Sequence, residues 1–299
     1  MFNTPILFLI FNRPDVTTQV FAKIREVKPK YLYIAADGPR KERDNEIALC
    51  EETRKLVLNT IDWDCEVKTL FRENNLGCGL AVSGAITWFF ENVEEGIVLE
   101  DDCLPDLSFF RYSEEMLSKY RYDEKVMHIG GNFYKYPFKI TSSFFKTRYV
   151  NVWGWATWRR AWNNYSLILD EKYDSLFVEN NIINQYWRNI IKELRDNRID
   201  TWDYQWFFSV KLNGGCSISP NVNLIKNIGF ARIDATHTSN YPTHINSEIG
   251  SIDFSRINKY DIIEYEKYDK FIENILVPKK SFIKLIISQF RYFKNKWIK

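Results

Sequence analysis

The chain has 299 residues, of which 45% are hydrophobic and 27% are charged. This composition is typical of a globular protein and excludes a collagen-like chain, a disordered chain and a disulfide scaffold. The 41 basic and 39 acidic residues give a net charge of +2, so we expect no nucleic-acid partner. The five cysteines are scattered and lack CxxC spacing, which indicates reduced thiols in a cytoplasmic protein.

Strand and helix patterns alternate through the first half of the chain. A continuous apolar run at residues 5–11 predicts a strand that is buried on both faces. Similar patterns predict three further strands, at residues 31–36, 66–71 and 96–99. Helix patterns follow the strands, at residues 16–27, 42–59, 77–90 and 107–117.

This alternation predicts a mostly parallel sheet that is built from βαβ units. Right-handed crossovers bring the carboxyl ends of parallel strands to one edge of the sheet. The residues at those ends are Asn12, Asp37, Arg72 and Glu100. Because open α/β sheets bind ligands at this edge, we expect these four residues to border a binding site.

Three adjacent acidic residues, Glu100, Asp101 and Asp102, directly follow the fourth predicted strand. Neighbouring carboxylates repel each other, so a buried cluster of them needs a cation. Carboxylate oxygens favour hard ions such as Mg²⁺ or Mn²⁺, and such an ion can neutralise a diphosphate leaving group. We interpret the cluster as a metal–diphosphate site. The alternative is a solvated turn in which Asp102 is a local cap.

The order of these motifs resembles that of the GT-A glycosyltransferases. The likeness rests on the Pro-Ile-Leu-Phe run at residues 5–8, the Asn-Arg-Pro turn at residues 12–14, Asp37, and the acidic run at residues 100–102. It is strongest to the N-acetylglucosaminyltransferase I type and its bacterial relatives, and it covers roughly residues 3–240. The resemblance implies a GT-A (Rossmann-like) open mixed sheet that is flanked by helices.

The resemblance also implies roles for individual residues. Asp102 would ligate Mn²⁺ or Mg²⁺, with Glu100 and Asp101 near the ribose and the phosphates of a nucleotide sugar. Arg13 would contact the nucleotide, and Asp37 would hold a uracil base. A third nucleotide contact is expected from Arg72.

Four tryptophans are concentrated between Trp153 and Trp162. A helix would place Trp155, Trp158 and Trp162 on one face, and we expect the last two to pack in the core. Trp153 and Trp155 flank a glycine at a tight turn, so we predict that both form a wall for an acceptor sugar. This segment resembles the Gly-Trp motif on the acceptor side of the family.

A candidate catalytic base lies in the segment Asp200-Thr-Trp-Asp203-Tyr-Gln-Trp206. A sugar hydroxyl is a poor nucleophile, and a neighbouring carboxylate can take its proton. Asp203 matches the position of the base in the family's Trp-Asp-Asp-Trp-like motif, although Tyr204 replaces the second acid. The alternative is that Asp203 caps a helix at residues 205–212, and Asp200 is the second candidate base.

Two histidines receive different predictions. His237 lies in the second of two segments, residues 227–230 and 235–238, that look like the closing segment of the bacterial relatives. We assign it to nucleotide-sugar binding through the diphosphate or the metal. A purely structural role for His237 is the alternative. His128 lies inside an apolar strand pattern, so we expect it to be a core residue with its hydrogen bonds satisfied.

The last 22 residues, 278–299, contain seven basic residues and no acidic residue. Their apolar residues recur at spacings of three and four, which predicts a basic amphipathic helix on an anionic membrane surface. A helix that is docked on the body of the protein is the alternative. We therefore expect a cytoplasmic protein that is peripheral on the inner face of the cell membrane.

Together these features predict one GT-A catalytic domain at residues 1–277 and the basic tail. Residues 1–125 would bind the nucleotide sugar, and residues 126–277 would bind the acceptor. The expected activity is metal-dependent, inverting transfer from a UDP-sugar to a glycan acceptor, plausibly lipid-linked, in surface polysaccharide synthesis. Two alternatives are a sugar nucleotidyltransferase, which would need a Gly-rich loop after the first strand, and a non-catalytic glycan-binding protein.

Overall fold

The computed structural model of the chain describes residues 2–230, 248–256 and 265–276. In this part of the chain, eight strands form one sheet. In order across the sheet, they are β3 (Glu66–Phe71), β2 (Tyr31–Ala36), β1 (Ile6–Ile10), β4 (Glu95–Glu100), β8 (Trp155–Trp158), β6 (Val126–Gly130), β9 (Cys216–Pro220) and β7 (Phe144–Thr147). Six of the strands run in one direction, while β7 and β8 are antiparallel to their neighbours. The expected open mixed sheet is confirmed.

The first half of the chain supplies four neighbouring strands of the sheet and the helices that cover them. Its elements are β1 (Ile6–Ile10), α1 (Pro14–Val27), β2 (Tyr31–Ala36), α2 (Glu46–Asn59), β3 (Glu66–Phe71), α3 (Cys78–Asn92), β4 (Glu95–Glu100), β5 (Cys103–Pro105) and α4 (Leu107–Tyr120). Asp106 caps α4 by accepting a hydrogen bond from the Ser108 backbone N–H at 2.9 Å.

The second half adds four strands to the same sheet, and its fifth strand pairs with β5 in a separate two-stranded sheet. Its elements are β6 (Val126–Gly130), β7 (Phe144–Thr147), β8 (Trp155–Trp158), α5 (Arg159–Trp162), α6 (Ile182–Arg195), α7 (Asp203–Leu212), β9 (Cys216–Pro220), β10 (Ile225–Asn227) and α8 (Tyr265–Leu276). Two 3₁₀ helices lie at Glu171–Phe177 and Phe254–Arg256.

Successive side chains of the central strands point to opposite faces of the sheet, and both faces are buried. Ile6, Phe8 and Ile10 of β1 pack with residues of α1 and α4, and Leu7 and Leu9 pack with residues of α3 and α7. This explains why β1 reads as a continuous apolar run, since a strand covered on both faces needs apolar residues at every position.

The prediction that Trp155, Trp158 and Trp162 share one helix is wrong for the first part of that segment. Residues Trp155–Trp158 form β8, which lies between β4 and β6 and pairs antiparallel with both. Only Arg159–Trp162 is helical. Trp158 and Trp162 are buried, as expected. The three-residue spacing fits a helix, but pairing with two neighbouring strands determines the extended backbone here.

None of the helices in the described ranges is both long and apolar enough to cross a bilayer. His237 and the tail at residues 278–299 lie outside those ranges, so the predictions for them stay predictions.

Candidate active site

A cavity of about 870 Å³ opens at the carboxyl ends of the central parallel strands. Five predicted site residues from the first half line it: Arg13, Asp37, Arg72, Glu100 and Asp102. Of the four strand-end residues expected here, Asn12 is the exception, because its amide donates to Glu46 instead. The second half contributes Trp153 and Asp203 among other residues. The volume of the cavity is within the range of small-molecule sites.

Within the acidic cluster, the three residues occupy different positions. Glu100 and Asp102 line the cavity. Asp101 is only 3% exposed and pairs with the Arg13 guanidinium, whose other nitrogen donates to Asp102 Oδ2 at 3.2 Å. The expectation that Asp101 contacts ribose or phosphate is therefore corrected, because its carboxylate is buried behind Arg13.

Negative charge exceeds positive charge in this cluster. Burial, with the carboxylates of Asp102 and Asp101 adding to it, raises the pKa of Glu100. Burial opposes the charge of Arg13, but the neighbouring carboxylates outweigh it and raise the pKa of the guanidinium. One guanidinium thus faces three acidic groups, and a bound cation would relieve the remaining repulsion.

The donor set fits a divalent ion that is shared with a ligand. Within the described ranges, no group of three or more His, Cys, Asp or Glu side chains is placed to hold a metal by itself. Mg²⁺ in phosphate-binding sites needs only one or two carboxylates, because substrate phosphates and waters complete its coordination. Asp102 and Glu100 supply oxygens of this kind at the cavity wall.

A short antiparallel pair of strands, β5 and β10, brings another segment against the acidic cluster. The Ile228 backbone N–H donates to the Asp102 carbonyl at 2.8 Å. Gly229 then lies so close that a Cβ atom there would be 2.3 Å from Asp102 Oδ2. The sequence contained this signal as the Asn227-Ile-Gly-Phe230 segment, but its contact with Asp102 depends on the fold.

The two candidates for the acceptor wall have different environments. Trp153 lines the cavity, and its ring meets the Phe230 ring edge-on at a centroid distance of 5.2 Å. Trp155 is fully buried and stacks on His128 at 5.1 Å and Trp202 at 5.6 Å. The assignment of Trp155 to acceptor binding is therefore corrected to a core role, because its side chain in β8 points into the packed interior.

His128 is a core residue with both ring nitrogens engaged. Nδ1 accepts from the Trp206 indole N–H at 3.1 Å, and Nε2 lies 3.0 Å from the Asn151 carbonyl. The indole is only a donor, so the tautomer with hydrogen on Nε2 satisfies both contacts. Burial lowers the pKa of His128 to about 3, although the bond to Asn151 opposes the shift. The prediction for this residue is confirmed.

Asp37 and Arg72 border the cavity while also holding protein backbone. The Asp37 carboxylate accepts from the backbone N–H groups of Gly38, Leu76 and Gly77. Arg72 donates through Nη1 to the Ala81 carbonyl at 3.1 Å. Asp37 thus ties the end of β2 to the loop before α3, and its contact with a uracil base stays a prediction.

Asp203 is the first residue of α7 and faces the cavity. Its Oδ1 accepts from Thr201 Oγ1 at 2.6 Å and from the Tyr204 backbone N–H at 2.8 Å. The described part of the chain supplies no donor to Oδ2. Asp203 is therefore held at the first position of the helix, while Oδ2 is left for other chemistry. Trp202 occupies the N-cap and no side chain in the described ranges caps the helix, so the capping alternative is wrong.

Asp200 also lines the cavity, and each of its two carboxylate oxygens accepts one backbone hydrogen bond. Oδ2 accepts from the Cys78 backbone N–H at 2.9 Å, and Oδ1 accepts from the Gly79 backbone N–H at 2.8 Å. Both oxygens bind the start of α3, so Asp200 has a structural role there, and its interpretation as the second candidate base stays a prediction.

Sequence reasoning missed Arg40, which also lines the cavity. The buried carboxylate of Glu46 accepts from Arg40 Nε at 3.1 Å and from the Arg40 backbone N–H at 2.6 Å. The guanidinium lies 5.4 Å from the centre of the Phe11 ring. A basic residue just after the Asp37-Gly-Pro turn was the available signal, but the anchoring by Glu46 was not visible in the sequence.

Comparisons with known proteins yield only distant similarities. No family model matches the sequence, and no curated protein matches it. Among solved structures, S. aureus TarS residues 1–349 is 10% identical with a TM-score of 0.39, over 74% of this chain and 59% of that chain. An apo UDP-glucose pyrophosphorylase is 9% identical with a TM-score of 0.34, over 74% and 93%. HddC from Yersinia pseudotuberculosis is 10% identical with a TM-score of 0.33, over 54% and 80%. This chain therefore spans well under two thirds of the TarS structure, and these values assign it to none of the three.

Proposed function

We propose that the chain is a metal-dependent inverting glycosyltransferase that moves a sugar from a nucleotide-diphosphate sugar, a UDP-sugar, to a glycan acceptor. One observation carries the proposal. Asp203 from the second half and the acidic residues Glu100 and Asp102 from the first half line the same cavity. A base and a site for a charged leaving group therefore border the same space, which is what a displacement at an anomeric carbon needs.

In the proposed reaction, the acceptor oxygen attacks the anomeric carbon on the side opposite the diphosphate. Asp203 takes the hydroxyl proton on Oδ2 as the new C–O bond forms. The bond from the anomeric carbon to the phosphate oxygen breaks, and its electron pair leaves on the nucleoside diphosphate. A single displacement of this kind inverts the anomeric configuration.

Other cavity residues would bind and orient the donor. Arg72 and Arg40 bring positive charge to the wall, which suits the phosphates of the donor. Arg13 holds Asp102 in place at the acidic wall. When bound at Asp102 and Glu100, Mn²⁺ or Mg²⁺ would neutralise charge on the leaving diphosphate. Trp153 remains the candidate for stacking on an acceptor ring.

The acceptor class and the membrane location rest on the sequence alone. The basic amphipathic pattern of residues 278–299 supports binding to anionic lipid and hence a lipid-linked glycan acceptor. We place the protein at the inner face of the cell membrane, in surface polysaccharide synthesis, as part of the same proposal.

Sugar nucleotidyl transfer is the second candidate for the same cavity. Such an enzyme would use a Gly-rich triphosphate loop after the first strand. Here β1 is followed by the Asn-Arg-Pro turn, and Pro14 starts α1 immediately. A release of pyrophosphate from UTP and a sugar 1-phosphate, with no transfer from a UDP-sugar, would favour this candidate over ours.

The variant Asp203→Asn tests the proposed base. We expect UDP release from a UDP-sugar with Mn²⁺ to fall by roughly 10²–10⁴-fold, while the donor Kd stays the same, because only proton transfer is removed. Asp170→Asn is the control, since Asp170 caps the 3₁₀ helix at Glu171–Phe177 and does not line the cavity. Unchanged turnover in Asp203→Asn would refute the assignment.

A further inference from the structure

The loop that leads into α7 is anchored on the start of α3 by a single carboxylate. Asp200 accepts from the Cys78 and Gly79 backbone N–H groups at 2.9 and 2.8 Å, across more than 120 residues of sequence. Helix α3 has no side-chain cap at Gly77 and no acidic residue in its first turn. Asp200 therefore supplies the missing cap from the other half of the chain.

Two glycines make this approach possible. A Cβ atom on Gly77 would lie 2.5 Å from Asp200 Oδ2, and one on Gly79 would lie 2.8 Å from Oδ1. Gly77 also has a φ angle of +81°, which L side chains rarely adopt. The Gly-Cys-Gly sequence thus forms a socket that fits the Asp200 carboxylate.

The anchored loop continues directly into Asp203. Thr201 Oγ1 donates to Asp203 Oδ1 at 2.6 Å, and the Thr201 carbonyl accepts from Gln205 Nε2 at 2.9 Å. The next side chain, Trp202, is buried against the Trp155 ring. Thr201 and Trp202, the two residues between Asp200 and Asp203, are therefore fixed by hydrogen bonds and by packing. These contacts orient the Asp203 carboxylate.

We propose that Asp200 is a positioning residue, which holds Asp203 in the geometry for proton transfer by docking on α3. This inference rests on the proposed function, because it acts only through Asp203 as the base. A charge-assisted pair of hydrogen bonds is strong enough for this task. A misplacement of a reacting group by about 1 Å can cost 10²-fold in rate, so loss of the anchor should reduce turnover without removing the base.

The test is a double-mutant cycle on UDP release from a UDP-sugar with Mn²⁺, with water as the acceptor. We expect Asp200→Ala to lower turnover by roughly 10–100-fold and to leave the donor Kd within about twofold. Asp200→Asn keeps one acceptor oxygen, so its loss should be intermediate; it also serves if the alanine variant does not fold. The double variant Asp200→Ala/Asp203→Asn should be no slower than Asp203→Asn.

Asp106→Ala is the matched control, since the Asp106 carboxylate also accepts a backbone N–H at a helix start, that of Ser108 in α4, and Asp106 does not line the cavity. It should lower the melting temperature without changing turnover. Wild-type turnover in both Asp200 variants, or additive losses in the double variant, would overturn the positioning role while leaving the base assignment intact. Turnover that survives Asp203→Asn would overturn the proposed base and the positioning role together.

Discussion

Acid should destabilise the folded chain through the buried His128. Its pKa is lowered from 6.5 to about 3 by burial. Below pH 6.5 the unfolded chain binds a proton at this residue, whereas the folded chain does not until the pH nears 3. Stability from the neutral imidazole is thus fully present above pH 6.5 and is lost progressively as the pH falls. At pH 5 the loss amounts to about 2 kcal/mol, since each pH unit below 6.5 costs about 1.36 kcal/mol.

Urea unfolding of the wild type and His128→Gln at pH 7.5 and pH 5.0 measures this loss. The variant should be less stable at pH 7.5, because it disturbs the contacts with Trp206 and Asn151. The difference between the two proteins should shrink by about 2 kcal/mol at pH 5.0. Groups that titrate in both proteins cancel in this comparison. An equal difference at both pH values would refute the reasoning.

Three further predictions concern the cavity. Gly229→Ala should weaken Mn²⁺-dependent donor binding by about tenfold or more, because the alanine Cβ would lie 2.3 Å from Asp102 Oδ2. Calorimetry with a UDP-sugar measures the donor Kd, and an unchanged Kd would contradict this prediction. Trp153→Ala should leave the donor Kd unchanged and raise the KM for a glycan acceptor, and equal acceptor kinetics would remove Trp153 from the acceptor wall. Cys78 should stay unmodified by iodoacetamide at pH 8, because burial, with nearby carboxylates adding to it, raises its pKa to about 12. Mass spectrometry of the treated protein measures this, and alkylated Cys78 would contradict it.

The parallel part of the sheet could be predicted because its strands carry their own signals. The runs at β1 and β2 are apolar at nearly every position, and helical patterns separate the strands. The position of β8 could not be predicted in this way. Its sequence, Trp-Ala-Thr-Trp, fits a helix as well as a strand, and the decision lies in its pairing with Glu95–Glu100 and Val126–Gly130.

The site shows the same division between local and long-range information. The convergence of Arg13, Asp37 and Glu100 follows from the topology of parallel strands, so the sequence was sufficient to place them at one cavity. The burial of Asp101 and the docking of Asp200 depend on contacts between segments about 90 and 120 residues apart in sequence. No local pattern specifies such contacts, so the sequence alone led us to predict Asp101 as a contact of the nucleotide sugar and Asp200 as a second candidate base.

We propose above all that this cavity binds a nucleotide sugar with a divalent ion at its acidic wall. Thermal unfolding of the wild type and Asp102→Ala, with a panel of UDP-sugars in the presence and absence of Mn²⁺, tests it most directly. At 100 times its Kd, a ligand that binds only the folded state adds about 2.7 kcal/mol of stability. We predict a rise in the wild-type melting temperature that requires Mn²⁺ and is lost in Asp102→Ala. No rise with any UDP-sugar, or the same rise without the metal and in the variant, would contradict the account.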